Sequence, residues 1–382
     1  MTIPFRGHLP ALDAIRGLAI IVVTLYRFRP KGGTAFDQSL AKVLTLGEHG
    51  VDLFFVLSGF LITGILCDTK HKADYFRGFY IRRALRIFPL YYGVLLVTIF
   101  LLPMLLRGTT SFFTQEHPYQ SWLWLHASNV IMAWEGKWLF GGFDHFWSLA
   151  VEEHFYLIWP LVIWLTSRRQ ALWVCGLCGV VALAFRCGLV VAGHANPAAD
   201  IFTLCRIDGL AAGAWLALYL RGPHDPNRVR CYGIAATILG LGLGLSALIA
   251  RKFIGQTSPL LTETLHYTCY TWFSFGFLGF IVLGLCCSTT SRWRHFWHCP
   301  AFIAAGKYSY GWYVFQGLIS PDFMGLHLAD HLNTATGIPG LGSVVQIVVG
   351  GGLSLLLAIL SWRIFESPIL SFKDTLAPRR ET

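Results

Sequence analysis

HGVDLFFVLSGFLITGILC, running from His49 to Cys67, carries one charged side chain, Asp52, in an otherwise apolar stretch. About 20 such residues, rising 1.5 Å each as a helix, cover a hydrocarbon core about 30 Å thick. Inside lipid no water can satisfy backbone amides, so a run of this kind closes its hydrogen bonds internally and forms a helix. Working outward, comparable runs occur at approximately 11–28, 88–106, 147–166, 171–193, 203–220, 231–250, 269–288, 302–320 and 343–365. In the run at 302–320 the apolar character is interrupted by Gly306, Lys307 and Gly311. Hydrophobic residues make up 55% of the 382 and charged ones 13%, against roughly 25% charge in an ordinary soluble domain. The 14 Trp, 14 Tyr and 29 Phe suit rings anchored at headgroup level. The expected fold is an all-α integral membrane protein of about ten transmembrane helices, one domain over 1–382 with no appended soluble domain.

The net charge of +10 follows the loops, which argues against a nucleic-acid partner and for membrane lipid. An even number of spans places both termini on one side. The loops of that side hold Arg6, Lys70, Lys72, Arg77, Arg82, Arg83, Arg86, Arg168, Arg169, Arg221, Arg228, Arg230, Arg292, Arg294, Lys373, Arg379 and Arg380. The opposite loops hold fewer than half as many: Arg29, Lys31, Lys42, Arg107, Lys137, Arg251 and Lys252. This bias predicts cytoplasmic termini in a multi-pass protein of the inner or plasma membrane. No cleavable signal peptide is evident, because the first apolar run contains Arg16 and Arg27 and lacks a small-residue cleavage site. The segment from about 107 to 145, with Trp122, Trp124, Trp134 and Trp138, suits a partly buried entrance. The ten cysteines lie mostly in apolar runs and make no secreted framework. Cys175 and Cys178 form a C-x-x-C without a second pair or nearby histidines, and read as small apolar residues; no metal is expected.

Charges inside a membrane helix cost roughly 2.5–3.5 kcal/mol each on insertion scales, so each needs a purpose. This chain places Asp13, Arg16, Arg27, Asp52, Glu152, Glu153, Arg186, Arg206 and Asp208 in apolar runs. Asp13 and Arg16 can pair on one helix face. Arg206 and Asp208 face apart and need partners elsewhere. Structural ion pairing accounts for Asp13, Arg186 and Asp208 as well as function does. In the fourth run, His145, Ser148, Glu152 and Tyr156 share one helical stripe: an imidazole, a hydroxyl, a carboxylate and a phenol able to handle protons. Glu153 points about 100° away and is expected to support a neighbouring helix. A second basic stretch, Phe79 to Tyr92, brings Arg82, Arg83 and Arg86 close together, suited either to bidentate phosphate binding or to anchoring on anionic lipid. Pro89 in that stretch marks a helix start or a kink.

Taken together, these segments resemble the acyltransferase-3 family of membrane proteins, from near residue 9 to near residue 371. The likeness rests on motifs in the family's order: Leu12-Asp-Ala-Ile-Arg-Gly-Leu-Ala19, Gly50 to Thr63, Arg83 with Arg86 and Pro89, Trp147-Ser-Leu with Glu152-Glu153, Arg206-Ile-Asp-Gly209, Ser309-Tyr310, and Phe365-Glu-Ser-Pro368. The resemblance implies about ten helices and transfer of an acyl group, commonly acetyl, from cytoplasmic acyl-CoA as co-substrate. It implies a glycan or lipid-linked sugar acceptor, as in polysaccharide or peptidoglycan modification. It also implies that Arg83 and Arg86, with Arg82 beside them, contact the CoA phosphates, and that Arg16, Glu152 and Glu153 serve the active centre. Ser148, Tyr156, Arg206 and Asp52 are expected on the substrate.

Two positions depart from the family pattern. Eleven residues after Arg16, where the family usually has a histidine regarded as central to catalysis, this chain has Arg27. Near Ser309-Tyr310, where another histidine is common, it has Gln316. Arginine stays protonated and cannot act as a general base. The candidates to take an acceptor proton are then His145, followed by Glu152 and His49. Arg27 would be an electrostatic element. Two other readings stay open: a non-catalytic member that binds acyl-CoA or lipid-linked glycan, and a transporter of an anionic solute.

Overall fold

The computed structural model describes residues 9–105, 118–254, 258–287, 293–321 and 328–376, except the side chains of Leu328, Asp330 and Asp374. Arg6, Arg107, Arg292, Arg379 and Arg380, used above to orient the chain, lie outside the described residues. Among the described residues there is no strand, and ten helices are 18 residues or longer. They are α1 Pro10–Arg27, α2 Gly50–Thr69, α3 Tyr75–Leu96, α4 Trp147–Leu165 and α5 Arg168–Val191. They continue with α6 Thr203–Leu220, α7 Pro226–Ile254, α8 Pro259–Leu285, α9 Pro300–Leu318 and α10 Leu341–Ser361.

Seven of these are long and apolar enough to cross a membrane by length and composition. The other three are α1, α4 and α9, and their lower hydropathy has one cause. They carry Asp13, Arg16 and Arg27, then Glu152, Glu153 and His154, then Lys307 with Tyr308, Ser309, Tyr310 and Tyr313. These three helices bring polar groups to the centre, where α2, α3 and α6 add Ser58, Arg83, Arg86 and Arg206. Side chains such as Leu177 and Val180 of α5 and Ile238 and Leu239 of α7 stay exposed, as lipid-facing residues do. The chain is a multi-pass membrane protein.

Helix starts follow capping chemistry. Ser167 accepts from the Gln170 amide while the Gln170 side chain accepts from the Ser167 amide, a reciprocal box that opens α5. Proline in the first turn opens α1, α8 and α9, where its missing N–H is not needed. Two helices begin well ahead of expectation: α8 starts at Pro259, not near 269, and α3 at Tyr75, not near 88, so Arg82, Arg83 and Arg86 are helical and Pro89 lies within α3. The more telling case is α3, whose basic first half hides a helical run from any reading based on hydropathy. α3 then passes into a π-helical segment, Val97–Leu101, and α10 into another, Trp362–Glu366. The ninth run, despite Gly306, Lys307 and Gly311, is one unbroken helix.

Glycines decide which helices touch. A Cβ added to Gly17 of α1 would lie 1.9 Å from the Phe302 carbonyl oxygen of α9, and one added to Gly306 of α9 would lie 2.0 Å from that of Asp13. The same reciprocity joins α2 to α6, where Gly59 meets the Leu210 oxygen and Gly213 meets that of Val56, both at 1.9 Å. Backbones this close exclude any side chain between them, which is how membrane helices gain packing without a hydrophobic drive. The first crossing sets Arg16 beside Ser309 and Tyr310; the second sets Asp52 beside Arg206.

Candidate active site

Arg16 and Arg27 lie eleven residues apart, three turns and about 16 Å along α1, on the same face. Each lines a different cavity. Arg16 lines a narrow one of about 80 Å³ together with Arg83 and Arg86 of α3, Ser58 of α2, Ser148, Glu152, Glu153 and Tyr156 of α4, and Ser309, Tyr310 and Tyr313 of α9. Five helices thus contribute, and only their packing reveals the grouping. Arg16 stands 4.0 Å from Asp13, a loose pair one turn apart.

Glu152 is the best-held group in this cavity. Ser58 donates to its Oε1 at 2.7 Å and Tyr156 to its Oε2 at 3.0 Å. The Arg83 guanidinium carbon lies 5.0 Å from the centre of the Tyr156 ring, a cation–π distance. Tyr310 donates to the Ile87 carbonyl at 2.8 Å and so fastens α9 to α3 beside Arg86. Glu153 departs from expectation. It lines the same cavity rather than supporting a neighbour, and its Oε1 is buried with no hydrogen-bond partner. A cavity walled by several helices takes in a wider arc of α4 than one stripe. Arg82 is not among the lining side chains.

The second cavity is ten times larger, about 820 Å³, and is lined by Arg27, Glu48, Asp144, Asp200, Arg206 and Tyr270, with Trp138 and Trp147 among its aromatic walls. Val51 and Tyr313 line both cavities, so the two meet there. The Tyr313 hydroxyl lies 2.6 Å from Ser148 Oγ and donates to the His145 carbonyl at 3.0 Å, which fixes the phenol at that junction.

His145 is buried in a short turn, Gly141–Phe146, ahead of α4. Its Nε2 is 3.2 Å from the Val314 carbonyl and Nδ1 is buried without a partner. A Cβ on Gly317 would lie 2.1 Å from that Nδ1, so this edge of the ring is packed on α9. Burial, with Arg27 nearby, pushes the imidazole down to about 3, so the ring is neutral. Its neighbour Asp144 accepts from the Phe140 amide at 2.7 Å. Burial pushes this carboxyl up to about 6, against the opposing pull of that amide and of Arg27. Asp144 escaped sequence reading because Gly-Gly-Phe-Asp reads as an ordinary turn.

The remaining charges pair off. Arg206 binds Asp52 and lies 3.8 Å from the centre of the Tyr270 ring; Asp52 in turn meets His49 Nδ1 at 2.9 Å. His49 is itself buried, stacked on Phe273. Asp52 is thus committed to Arg206 and His49, and Arg206 reaches the large cavity as half of a pair. Arg186 is fully buried against Asp208, Thr271 and the Cys205 carbonyl. Both partners required for Arg206 and Asp208 are therefore found across helices. Cys175 and Cys178 are free thiols in α5. Gln316 accepts from Thr24, so the second departure from the family pattern meets α1 one turn before Arg27. Among the described residues, no group of three or more His, Cys, Asp or Glu is placed to hold a metal ion.

A bundle of membrane helices in which the polar ones converge on paired internal cavities, carrying these motifs in this order, defines one class of protein. The model of an acyltransferase domain matches residues 9–363, and the chain belongs to that acyltransferase-3 family. Among curated relatives, the chain is 26% identical to the O-acetyltransferase OatA of Staphylococcus aureus over 95% of its own length and 57% of that protein. It is 35% identical to the peptidoglycan O-acetyltransferase OatA of Listeria monocytogenes over 41% of its own length and 24% of that protein. The chain thus spans from about a quarter to under three fifths of these relatives. No solved structure matches it.

Proposed function

We propose that this chain is a membrane O-acetyltransferase that takes an acetyl group from acetyl-CoA at the narrow cavity and passes it to a hydroxyl of a cell-wall glycan in the large one. The observation that carries this reading is the meeting of the two cavities at Val51 and Tyr313. Transfer needs donor and acceptor to approach from separate sites and touch at one point. On the donor side, Arg16, Arg83 and Arg86 offer guanidinium groups to phosphate, and Arg83 and Arg86 sit on consecutive turns of α3. Acceptor relatives named for peptidoglycan support a glycan, and the tryptophans of the large cavity suit a sugar face. Ten spans with cytoplasmic termini would put the Arg83 end of the bundle toward the cytoplasm, where the donor is made.

For the acceptor proton we assign Asp144. It lines the large cavity, and a carboxyl near 6 is mostly ionised at neutral pH while being a stronger base than an ordinary carboxylate. His145, with its imidazole down to about 3 and its free nitrogen packed on Gly317, supports the turn instead. Deprotonated Asp144 would accept the hydroxyl proton as the acceptor oxygen attacks the acetyl carbonyl. The tetrahedral intermediate then collapses, breaking the C–S bond and releasing CoA as its thiolate, and the proton held by Asp144 passes through water to the sulfur.

The test uses membranes holding this protein and acetyl-CoA labelled in the acetyl group, with peptidoglycan fragments as acceptor. Label should reach the glycan with the native chain and fall at least tenfold with Arg83→Ala/Arg86→Ala. Equal transfer by both forms would remove the donor assignment.

A further inference from the structure

Every carboxylate and every other arginine facing the large cavity has an occupation on the protein itself, and Arg27 has none. Asp144 accepts from the Phe140 amide, and Asp200 from the Tyr270 phenol at 2.6 Å. Glu48 stands 3.7 Å from His49. On the basic side, Arg206 is bound to Asp52, and Arg29 donates to the Tyr26 carbonyl at 2.7 Å and lies over the Tyr26 ring. Arg27 makes no ion pair and no side-chain hydrogen bond among the described residues, and its Nε is buried without a partner. It lines the cavity from the last turn of α1, close enough to Asp144 and His145 to act on both through space.

A partly buried guanidinium with no direct ion pair or side-chain hydrogen bond is costly, because the group cannot shed its proton to escape the penalty. The protein holds such a group at little cost only if something in the cavity completes it. Its planar fork of donors matches the paired oxygens of a carboxylate or a phosphate better than any group of a neutral sugar. We infer that Arg27 is the anchor for an anionic group on the acceptor, so that the large cavity selects glycans bearing a carboxylate or phosphate over neutral ones. This deepens the reading of the large cavity as the acceptor site. It also gives the arginine a purpose: an anchor at this end of α1 would hold the acceptor while the neighbouring Asp144 takes its proton. Arg27 then determines specificity and leaves the proton chemistry to its neighbour.

Binding can be measured without donor and without turnover, so the inference stands or falls separately from the acetyl-transfer assignment. The full chain in detergent would be dialysed to equilibrium against three labelled tetrasaccharides. One is neutral N-acetylglucosamine tetramer, one alternates N-acetylglucosamine with N-acetylmuramic acid and so carries carboxylates, and one is the neutral tetramer with a phosphate at its reducing end. At least one anionic sugar should bind about tenfold or more tighter than the neutral one, as one charge-assisted pair allows, and which one binds identifies the source of the anion. Arg27→Ala and Arg27→Gln should both erase the preference, and Arg27→Lys should keep part of it. Arg83→Ala/Arg86→Ala should leave it whole, which excludes binding at the other cavity. Equal binding of all three sugars, binding of none, or a preference that survives in Arg27→Ala and Arg27→Gln overturns the inference.

Discussion

Arg27 and Arg186 are both arginines in a membrane protein, and their surroundings give them opposite roles. Arg186 is fully buried and bound to Asp208, Thr271 and a backbone carbonyl. Replacing it with leucine leaves Asp208 without its counter-charge, held only by Thr271 and the Gly209 amide, a loss of about 3–5 kcal/mol. Arg186→Leu should therefore lower the melting temperature in detergent sharply, whereas Arg27→Ala should leave it nearly unchanged. Asp144 makes a third residue-level prediction, with a sign. Because its carboxyl is raised to about 6, a base at this position is lost by protonation as pH falls through 6. The rate of transfer should drop below that pH in the native protein, and Asp144→Asn should lose at least a hundredfold at pH 7 and above and show no acid limb near 6. An unchanged acid limb in Asp144→Asn would move the base elsewhere. Of these three residues, the sequence marks Arg27 and Arg186 as anomalous charges, but the difference between them depends on partners far away in the chain. Asp144 carries no mark at all, since its environment is made by burial and by Arg27.

At the level of helices, what hydropathy could show it showed: the apolar runs lie where the long helices are, and composition announced a helical membrane protein. α3 marks where that reading fails, because a helix that starts with Tyr75-Phe-Arg-Gly-Phe-Tyr-Ile-Arg-Arg is invisible to a search for apolar stretches. Glu153 marks another limit, since a single stripe on a helical wheel presumes one neighbour and α4 has several. Helix partners were beyond reach as well, because glycine reciprocity becomes visible only when two backbones are side by side. Gly59 and Gly213 test that reciprocity. An alanine at either position must push α2 and α6 apart against a carbonyl 1.9 Å from its Cβ. Each substitution should destabilise the protein by about 1–3 kcal/mol or more. Because Asp52 and Arg206 pair across the same interface, each should also weaken transfer. Gly176→Ala, where a Cβ meets nothing within 4 Å, is the control and should be neutral.

For the whole molecule, the proposed orientation puts Lys72 and Lys137 on opposite sides of the membrane. In right-side-out vesicles, an impermeant maleimide should label Lys137→Cys in a chain cleared of its native cysteines, and should reach Lys72→Cys only after permeabilisation. The reverse pattern would turn the protein over and put the Arg83 end of the bundle outside. With the orientation as proposed, the two cavities lie in series between the two faces, and the acetyl group would change carriers inside the bundle.

The crossing of Gly17 on Phe302 and of Gly306 on Asp13 locks α1 against α9 backbone to backbone. That makes α1 a measuring rod. The separation of the Arg16 and Arg27 backbones is set by the helical rise and holds as long as α1 stays helical. Inserting one alanine between them would advance Arg27 by 1.5 Å and swing it about 100° around the axis, leaving Arg16 in place. Such a chain would keep its donor end and lose its acceptor end with both guanidinium groups still present.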